Sequence, residues 1–157
     1  MKITIRPLKL SDAKAIQAVY NHKEVFKQIT GPPWPCPLSY VTNKIINRSI
    51  KERKTGKRYD FAITFNKKVI GEIVLEHPNK TKKVFELGYM VKRSQWNKGI
   101  ASKAIRQIVK FGFNKIKILK IWAGTSKKNP ASGKALEKAG FKLKGIKNKD
   151  YYWEIKK

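Results

Sequence analysis

A chain of 157 residues, 41% of them hydrophobic, is long enough to bury a core, and we expect one domain over residues 1–157. No run of about 20 apolar residues is present and the first residues lack the apolar segment of a secretory leader, so we expect a cytoplasmic protein without a membrane partner. One cysteine excludes an internal disulfide, and two histidines argue against a metal site.

The net charge of +27 comes from 37 Lys and Arg against 10 Asp and Glu, spread along the whole chain. A basic surface attracts phosphate-rich partners and repels cationic ones. The abundance of Lys, Ile and Asn equally fits a codon bias, so the sequence leaves open whether the charge is functional. Because the cations are diffuse and no RNA- or DNA-binding motif occurs, we expect nucleic acid to bind only through non-specific charge.

The first half of the chain predicts one strand, two helices and then three strands. Alternation in "KITIRPL" indicates the first strand, and Ser11 can cap the helix that follows. The proline-rich stretch 30–39 excludes a helix or an inner strand, and Ser39 can cap a second helix that buries Val41, Ile45, Ile46 and Ile50. Short polar connections, typical of antiparallel hairpins, then join strands at 59–65, 69–76 and 84–91.

The second half alternates helices with strands. A helix is predicted from Gly99 to about Lys115, with its apolar side inward and Lys103, Arg106, Gln107 and Lys110 outward. A strand at 118–125 leads to a helix that Asn129 and Pro130 begin and Gly140 ends, and a hairpin at 141–146 and 150–155 closes the chain. Trp122 and Trp153 are expected in the core.

This element order predicts an α/β (α+β) fold. A central, twisted and mostly antiparallel sheet of about seven strands carries one parallel β-α-β crossover, with about four helices in all. Ligands of such folds lie at the carboxyl ends of the crossover strands, beside the helix N-terminus. The stretch "ELGYMVKRSQWNKGIASKAI", residues 86–105, lies at that place.

The junction at residues 98–101 favours an anion. A helix start has unpaired N–H groups and partial positive charge, Gly99 and Ala101 keep bulk away, and Lys98 adds a cation. The same residues also suit an ordinary helix start with a small packing face. Neither a P-loop nor a dinucleotide fingerprint is present, so both interpretations stay open at this point.

Several segments, in their order and spacing, resemble the GNAT superfamily of N-acetyltransferases, and most closely its ribosomal-protein N-terminal acetyltransferase (RimJ/RimL-like) branch. They are "IRPLKLSDA", "VIGEIVLE", residues 86–105, "FGF" and "NPASGKALEKAGFKLKG", which span nearly the whole chain. The resemblance implies the GNAT fold and acetyl-coenzyme A (acetyl-CoA) as co-substrate, with no metal. The cofactor-binding residues that it implies are Met90, Val91, Trp96, Asn97, Lys98, Gly99, Ile100, Ala101, Ser102 and Asn129.

The chain departs from the RimJ/RimL-like pattern at two positions. That pattern usually reads Trp-Gly-Lys-Gly, whereas Asn97 replaces the first glycine here. Asn is the residue other than Gly that best tolerates a positive φ, so we expect the turn to survive. The family also favours an acidic residue where Lys103 stands, on the side of the helix expected to face solvent.

Acetyl transfer from a thioester to an amine needs a neutral amine, a polarised carbonyl, an aligned approach and a way to take up charge on the leaving thiolate. The resemblance implies a backbone N–H near Met90 as the polarising group and Ser132 beside the sulfur, although local helix capping would also explain Ser132 and Asn129. For the catalytic base, Glu86 and Glu72 are the candidates. Water or solvent is the alternative, because an α-amine with a pKa of about 8 is partly neutral already.

The resemblance implies Trp34, Glu72 and Tyr89 on the acceptor side. Cys36 is not expected to be a nucleophile, since no histidine motif accompanies it and direct transfer needs no acyl-enzyme. We expect a protein or peptide N-terminus as acceptor, with ribosome-associated proteins among the candidates, because a +27 chain has few carboxylates with which to hold a polycation. A polyamine, aminoglycoside or amino acid acceptor is the alternative, and a non-catalytic nucleic-acid-binding domain is the second. Monomer and homodimer both stay open.

Overall fold

The computed structural model describes residues 2–157, and Met1, which begins the predicted domain, lies outside them. The strands are β1 (Ile3–Pro7), β2 (Tyr59–Phe65), β3 (Lys68–Asn79), β4 (Val84–Val91), β5 (Lys120–Thr125), β6 (Lys142–Lys147) and β7 (Asp150–Lys156). The helices are α1 (Ala13–Tyr20), α2 (Lys23–Phe26), α3 (Leu38–Tyr40), α4 (Arg48–Lys54), α5 (Ile100–Asn114) and α6 (Pro130–Lys138). Short 3₁₀ turns lie at Leu10–Asp12 and Arg93–Gln95, and a π-helical segment, Val41–Asn47, joins α3 to α4.

The seven strands form one sheet in the order β1-β2-β3-β4-β5-β7-β6, and β4 and β5 are its parallel pair. This confirms the predicted sheet, with α5 as the crossover. The parallel pairing ends at Glu86 and Trp122, although β4 continues to Val91 and β5 to Thr125. The two central strands therefore diverge toward their carboxyl ends.

The sheet has a hydrophobic cluster on each face. On one, here called the α5 face, α5 buries Ala104, Ile105 and Ile108 against β-strand residues, as the helical spacing predicted, and Ile100 with them. The other, here called the α1 face, packs α1 and the helical residues 38–54 against Ala62 and Met90. The strand β4 is thus packed on both sides, whereas the buried side chains of β5 belong to the cluster on the α5 face.

The second predicted helix differs in its start and in its buried face. It begins at Leu38, preceded by Pro37, and not after a Ser39 cap. Ile50, expected inside, is 39% exposed, whereas Ser49 is buried. The π-helical segment explains this, because its wider turns rotate the residues that follow relative to a regular α-helix.

Two side chains lie where the sequence did not place them. Gln107 was expected to face solvent, but its amide donates to the carbonyl of Ile3 at 2.8 Å and accepts from the N–H of Ile5 at 3.0 Å, tying α5 to β1. Trp122 was expected in the core, as Trp153 is, but it lies half-buried on the α1 face. Side chains alternate between the two faces along β5, so the residues on either side of Trp122 point to the α5 face and Trp122 does not.

Candidate active site

The divergence of β4 and β5 leaves part of one strand edge without a partner. The N–H of Lys92 donates to the carbonyl of Ile70 at 2.7 Å, so the main-chain groups of Lys92 point toward β3. Main-chain groups alternate in direction along a strand, so those of Leu87, Tyr89 and Val91 point toward β5. Beyond the last parallel pair, at Glu86 and Trp122, these groups face the gap between the strands, here called the opening.

The same alternation turns the main chain of Met90 away from the opening. Met90 pairs with Glu72 in the antiparallel ladder, two positions from the Lys92 bond, so its N–H is directed at β3. Of the two residues expected to line the cofactor at this strand, Val91 therefore presents its amide to the opening and Met90 does not. The N–H of Tyr89 also faces the opening.

The loop of residues 92–99, here called the cofactor loop, joins this edge to α5. Asn97 and Gly99 are both left-handed, with φ of 60° and 71°, which agrees with the turn expected at Asn97. Gly99 is the N-cap of α5, and no side chain caps the helix start. The first N–H groups of α5, from Ile100 to Ser102, lack helical partners and carry the positive end of the helix dipole.

Cross-contacts fix the shape of the cofactor loop. The indole of Trp96 donates to the carbonyl of Val91 at 2.7 Å, which closes the loop over the end of β4. The guanidinium of Arg93 lies 4.7 Å from the centre of the Trp96 ring and pairs with Glu24. Lys98 is exposed and donates to Gln95 at 3.3 Å. The predicted loop residues therefore lie together around the start of α5.

The start of α6 lies on the other side of the opening. The hydroxyl of Ser132 is 2.5 Å from that of Tyr89, which spans the gap from β4. Burial raises the pKa of Tyr89, so its phenol stays protonated at neutral pH. Asn129 caps α6, as predicted, through the N–H of Ser132 at 3.3 Å, and its amide donates to Gln28 at 2.7 Å.

A segment that includes α2 bridges the two sides. The sequence did not predict this four-residue helix, which is too short for a periodic pattern. Glu24 pairs with Arg93 of the cofactor loop, and Gln28 bonds Asn129 of α6, so the segment spans the opening. Trp34 is 44% exposed against Phe26, whereas Cys36 is 1% exposed and burial raises the pKa of its thiol, as suits an inert loop residue.

Glu86 lies on the α1 face where β4 and β5 part. Its carboxylate is 27% exposed and 2.6 Å from Nδ1 of His77, and it has no Lys or Arg within ion-pair distance anywhere in residues 2–157. The neighbouring position on this face of β4 is Gly88, where a Cβ would lie 3.3 Å from Cγ1 of Val74 and 3.5 Å from Oε1 of Glu76. Glu86 is thus a partly exposed carboxylate at the point where the two strands part.

Glu72 differs from Glu86 because it is fully buried. Burial and the adjacent Asp60 carboxylate hold its pKa well above the usual range, while the hydroxyl of Tyr20 donates to it at 3.0 Å. Asp60 accepts from Arg58 at 2.8 Å through one oxygen, and its other oxygen is buried without a donor among the described residues. Burial and the neighbouring carboxylate thus favour the protonated form of Glu72.

The sequence did not show that more than half of the acidic residues share one face. The strand registers place Asp60, Glu72, Glu76, Glu86 and Glu154 on the α1 face, and alternation along β7 adds Asp150, which makes six of the ten acids in the chain. They come from four strands and span residues 60–154, so only the pairing of the strands brings them together. Their cationic partners include Arg58 and Lys120.

Residues 2–157 contain no group of three or more His, Cys, Asp or Glu side chains that could hold a metal ion. Across the same residues, no helix is long and apolar enough to cross a membrane.

Comparison with known proteins agrees with this arrangement. The family model described as "Acetyltransferase (GNAT) domain" matches residues 2–142. The uncharacterized N-acetyltransferase p20 of Bacillus licheniformis is 24% identical over 146 residues, which are 92% of this chain and 82% of the relative. The structure of Mycobacterium smegmatis RimJ in complex with CoA-disulfide has a TM-score of 0.84 at 18% identity, covering 98% of this chain and 81% of that one.

A second solved structure shares the fold equally well. AAC(6')-Ib in complex with ribostamycin and coenzyme A also has a TM-score of 0.84 at 18% identity, over 99% of this chain and 94% of that one. At such identities the structures establish the fold, whereas the family model establishes the relationship. The predicted GNAT fold and the predicted class of enzyme, an acetyltransferase, are confirmed, and the protein belongs to the GNAT acetyltransferase family.

Proposed function

We propose that this protein transfers the acetyl group of acetyl-CoA to a primary amine by direct attack of that amine on the thioester. The observation that carries the proposal is the unpaired amide edge of β4, at Tyr89 and Val91, which leads into the left-handed loop at the start of α5. An extended, amide-bearing chain with a pyrophosphate at one end fits both features. Coenzyme A is such a molecule.

The cofactor follows the edge and then the loop. Its pantetheine arm adds to β4 as a strand: the arm accepts from the N–H of Val91 and donates to the carbonyl of Tyr89, which leaves the N–H of Tyr89 for the thioester. Its pyrophosphate accepts from the N–H groups of residues 100–102, with Lys98 nearby, because a helix start favours an anion. Asn129 reaches the arm once its bond to Gln28 opens.

The chemistry uses groups on both sides of the opening. The N–H of Tyr89, the residue next to Met90, polarises the thioester carbonyl, in keeping with the N–H near Met90 that the resemblance implied. The amine nitrogen attacks the carbonyl carbon, and the carbon–sulfur bond then breaks. The paired hydroxyls of Ser132 and Tyr89 supply a hydrogen bond or a proton to the thiolate that leaves.

The proton of the attacking amine goes to Glu86 through water. Glu86 is ionisable, partly exposed and lies about 10 Å along β4 from Tyr89, three residues at about 3.3 Å each. Glu72 is unsuited to this step, because it is fully buried and its pKa is raised well above the usual range by burial and by Asp60. Its role is to keep β2, β3 and α1 in register beside the site.

For the acceptor we propose a protein or peptide N-terminus, which the basic surface and the fold shared with RimJ support. A small amine with several positive charges is the second candidate. The acids of the α1 face favour it, and AAC(6')-Ib, with ribostamycin bound, shares the fold. Because these acids are concentrated on one face, the high net positive charge of the chain does not by itself exclude a polycationic acceptor.

An acetylation panel tests the proposal. Peptides with free N-termini, the same peptides with blocked N-termini, spermidine and kanamycin are incubated with acetyl-CoA, and mass spectrometry locates the acetyl group. We expect acetylation of the free α-amine and none of the blocked peptide. Turnover of the small amines beside inert peptides would select the second candidate. Binding of acetyl-CoA without turnover of any amine would refute both.

A further inference from the structure

The α1 face carries a pair of stacked aromatic rings beside the opening. Trp122 and Tyr152 have ring centres 5.5 Å apart and planes inclined by 25°, and together they are called here the aromatic platform. Trp122 is the last β5 residue paired with β4, opposite Glu86. The platform therefore lies where the two strands part, with Glu86 at its edge.

A positive charge already rests on these rings. Nζ of Lys147, from the β6–β7 hairpin, lies 5.5 Å from the Tyr152 ring centre and 5.9 Å from that of Trp122. An aromatic face attracts a cation through its quadrupole, and Trp and Tyr do so best. Lys147 stands on an exposed strand, so its ammonium can leave the rings without disturbing the core.

Space and charge around the platform suit an external cation. Gly124 and Gly145 flank Tyr152 in the strand register, and a Cβ at either position would meet no atom within 4 Å, so the rings are not walled in. Glu86, without a Lys or Arg partner in the described range, lies on one side. Glu154 lies on the other, paired with Lys120 at 3.3 Å.

We propose that the aromatic platform binds a second cationic group of the acceptor, which replaces the ammonium of Lys147. The proposal rests on the N-acetyltransferase function above and deepens it, since it specifies the acceptor. The acetylated nitrogen approaches Tyr89, which lies three residues, or about 10 Å, along β4 from Glu86, and Trp122 lies one strand spacing of about 4.8 Å to the side of Glu86. The acceptor therefore carries an ammonium or guanidinium group roughly 11 Å or slightly more from the nitrogen that is acetylated.

Two kinds of molecule offer that chemistry: a small polyvalent amine, and a peptide with Lys or Arg close to its N-terminus. The substrate arms are spermidine, a peptide with Arg at its third position, the same peptide with Ala there, and a simple monoamine. The Arg peptide outperforming its Ala counterpart selects the peptide source. Spermidine outperforming every peptide selects the small amine.

Substitutions in the platform provide the structural test. Trp122→Leu and Tyr152→Leu should raise the KM of cationic acceptors roughly 3- to 30-fold, the range of a cation–π contact, with kcat and the KM of acetyl-CoA unchanged. Lys147→Gln should lower that KM, because it removes the competing ammonium, and it leaves both rings in place should the ring variants fold poorly. Tyr151→Leu is the matched control, a neighbouring aromatic of β7 with its own lysine, Lys127, at 5.9 Å.

The proposal is overturned if the platform variants leave the KM of cationic acceptors unchanged, or if Tyr151→Leu raises it equally. A binding assay separates this failure from failure of the proposed function. Tetramethylammonium, which cannot be acetylated, should quench the tryptophan fluorescence of the wild-type protein and not that of Trp122→Leu. Such quenching without turnover of any amine would refute acetyl transfer alone, whereas equal quenching of both proteins would refute the platform.

Discussion

Gly99 and Gly56 offer a matched pair of substitutions that separates cofactor binding from backbone strain. Their φ angles are 71° and 70°, so replacement by Ala imposes the same left-handed conformation at both sites. That conformation costs an L-residue about 1–2 kcal/mol. The lower entropy of the unfolded chain returns about 0.4–1 kcal/mol of it. Each variant should therefore lose at most about 1.6 kcal/mol, which for a chain of this size lowers Tm by a few degrees.

Packing adds little to either cost. A Cβ at Gly99 meets no protein atom within 4 Å, and one at Gly56 meets only the hydroxyl of Tyr59 at 3.5 Å, an ordinary contact. Any loss specific to Gly99 must then come from what binds there. A methyl group that displaces one or two charge-assisted hydrogen bonds of about 1.5–3 kcal/mol each weakens coenzyme A at least tenfold. Gly99→Val should abolish binding altogether.

Calorimetric titration with coenzyme A and thermal melts by circular dichroism give the two readouts. The expected pattern is a similar small drop in Tm for Gly99→Ala and Gly56→Ala, with lost affinity in the first alone. Equal affinities in both variants would remove the cofactor loop from the site. An equal loss in both would mean that strain, and not contact, governs binding.

Four further substitutions test the other assignments. Asn97→Gly, which restores the residue usual in the RimJ/RimL-like pattern, should keep or raise the affinity for coenzyme A in the same titration, because φ at this position is 60°. Ser132→Ala should lower kcat more than it raises the KM of acetyl-CoA, since the N–H that Asn129 caps is retained; if neither constant moves, Ser132 serves the helix cap alone. The raised pKa of Glu72 means that the folded state binds this proton more tightly than the unfolded chain does, so the wild type loses stability as pH rises from about 4.5 through the folded pKa. Glu72→Gln keeps a donor toward Asp60, so its free energy of unfolding at pH 8 should match that of the wild type or exceed it by up to about 3 kcal/mol, with a smaller difference at pH 5. This variant should retain kcat, whereas Glu86→Gln should lower it. If Glu72→Gln is less stable than the wild type at pH 8, Glu72 is ionised in the folded protein.

The sequence correctly predicted those elements whose ends are determined by residues close together in the chain. Asn129 with Pro130 marks the start of α6, and Gly140, at φ of 101°, marks its end, because capping and left-handed turns need particular residue types. The helix after Gly99 was predicted within one residue at each end, since its apolar spacing is regular. These features depend on neighbours within about four positions, which a single sequence displays.

Features that depend on how strands pair could not be predicted in the same way. Gln107 was assigned to solvent because nothing in the sequence shows that β1 lies beside α5. Trp122 was assigned to the core because hydrophobicity alone does not say which face of β5 is covered. The sequence could place the polarising N–H only near Met90 and could not choose the residue, since the direction of a main-chain group follows from the register with β3.

Net charge and local charge act over different distances, and this decides what salt should do to the rate. The +27 field reaches acceptors before contact and is screened beyond about 10 Å at an ionic strength of 0.1 M, whereas Glu86 and the aromatic platform act at contact. For a free polyamine the long-range field opposes the approach, so kcat/KM should rise with added salt until screening weakens the contact itself. For an amine presented on RNA or on an acidic chain, the field assists the approach and kcat/KM should fall from the start. An anionic carrier with a cationic group near the acetylated nitrogen would be attracted by the long-range field and would also bind the aromatic platform at contact. Measuring kcat/KM against ionic strength for the wild type and for Trp122→Leu separates the long-range effect from the contact.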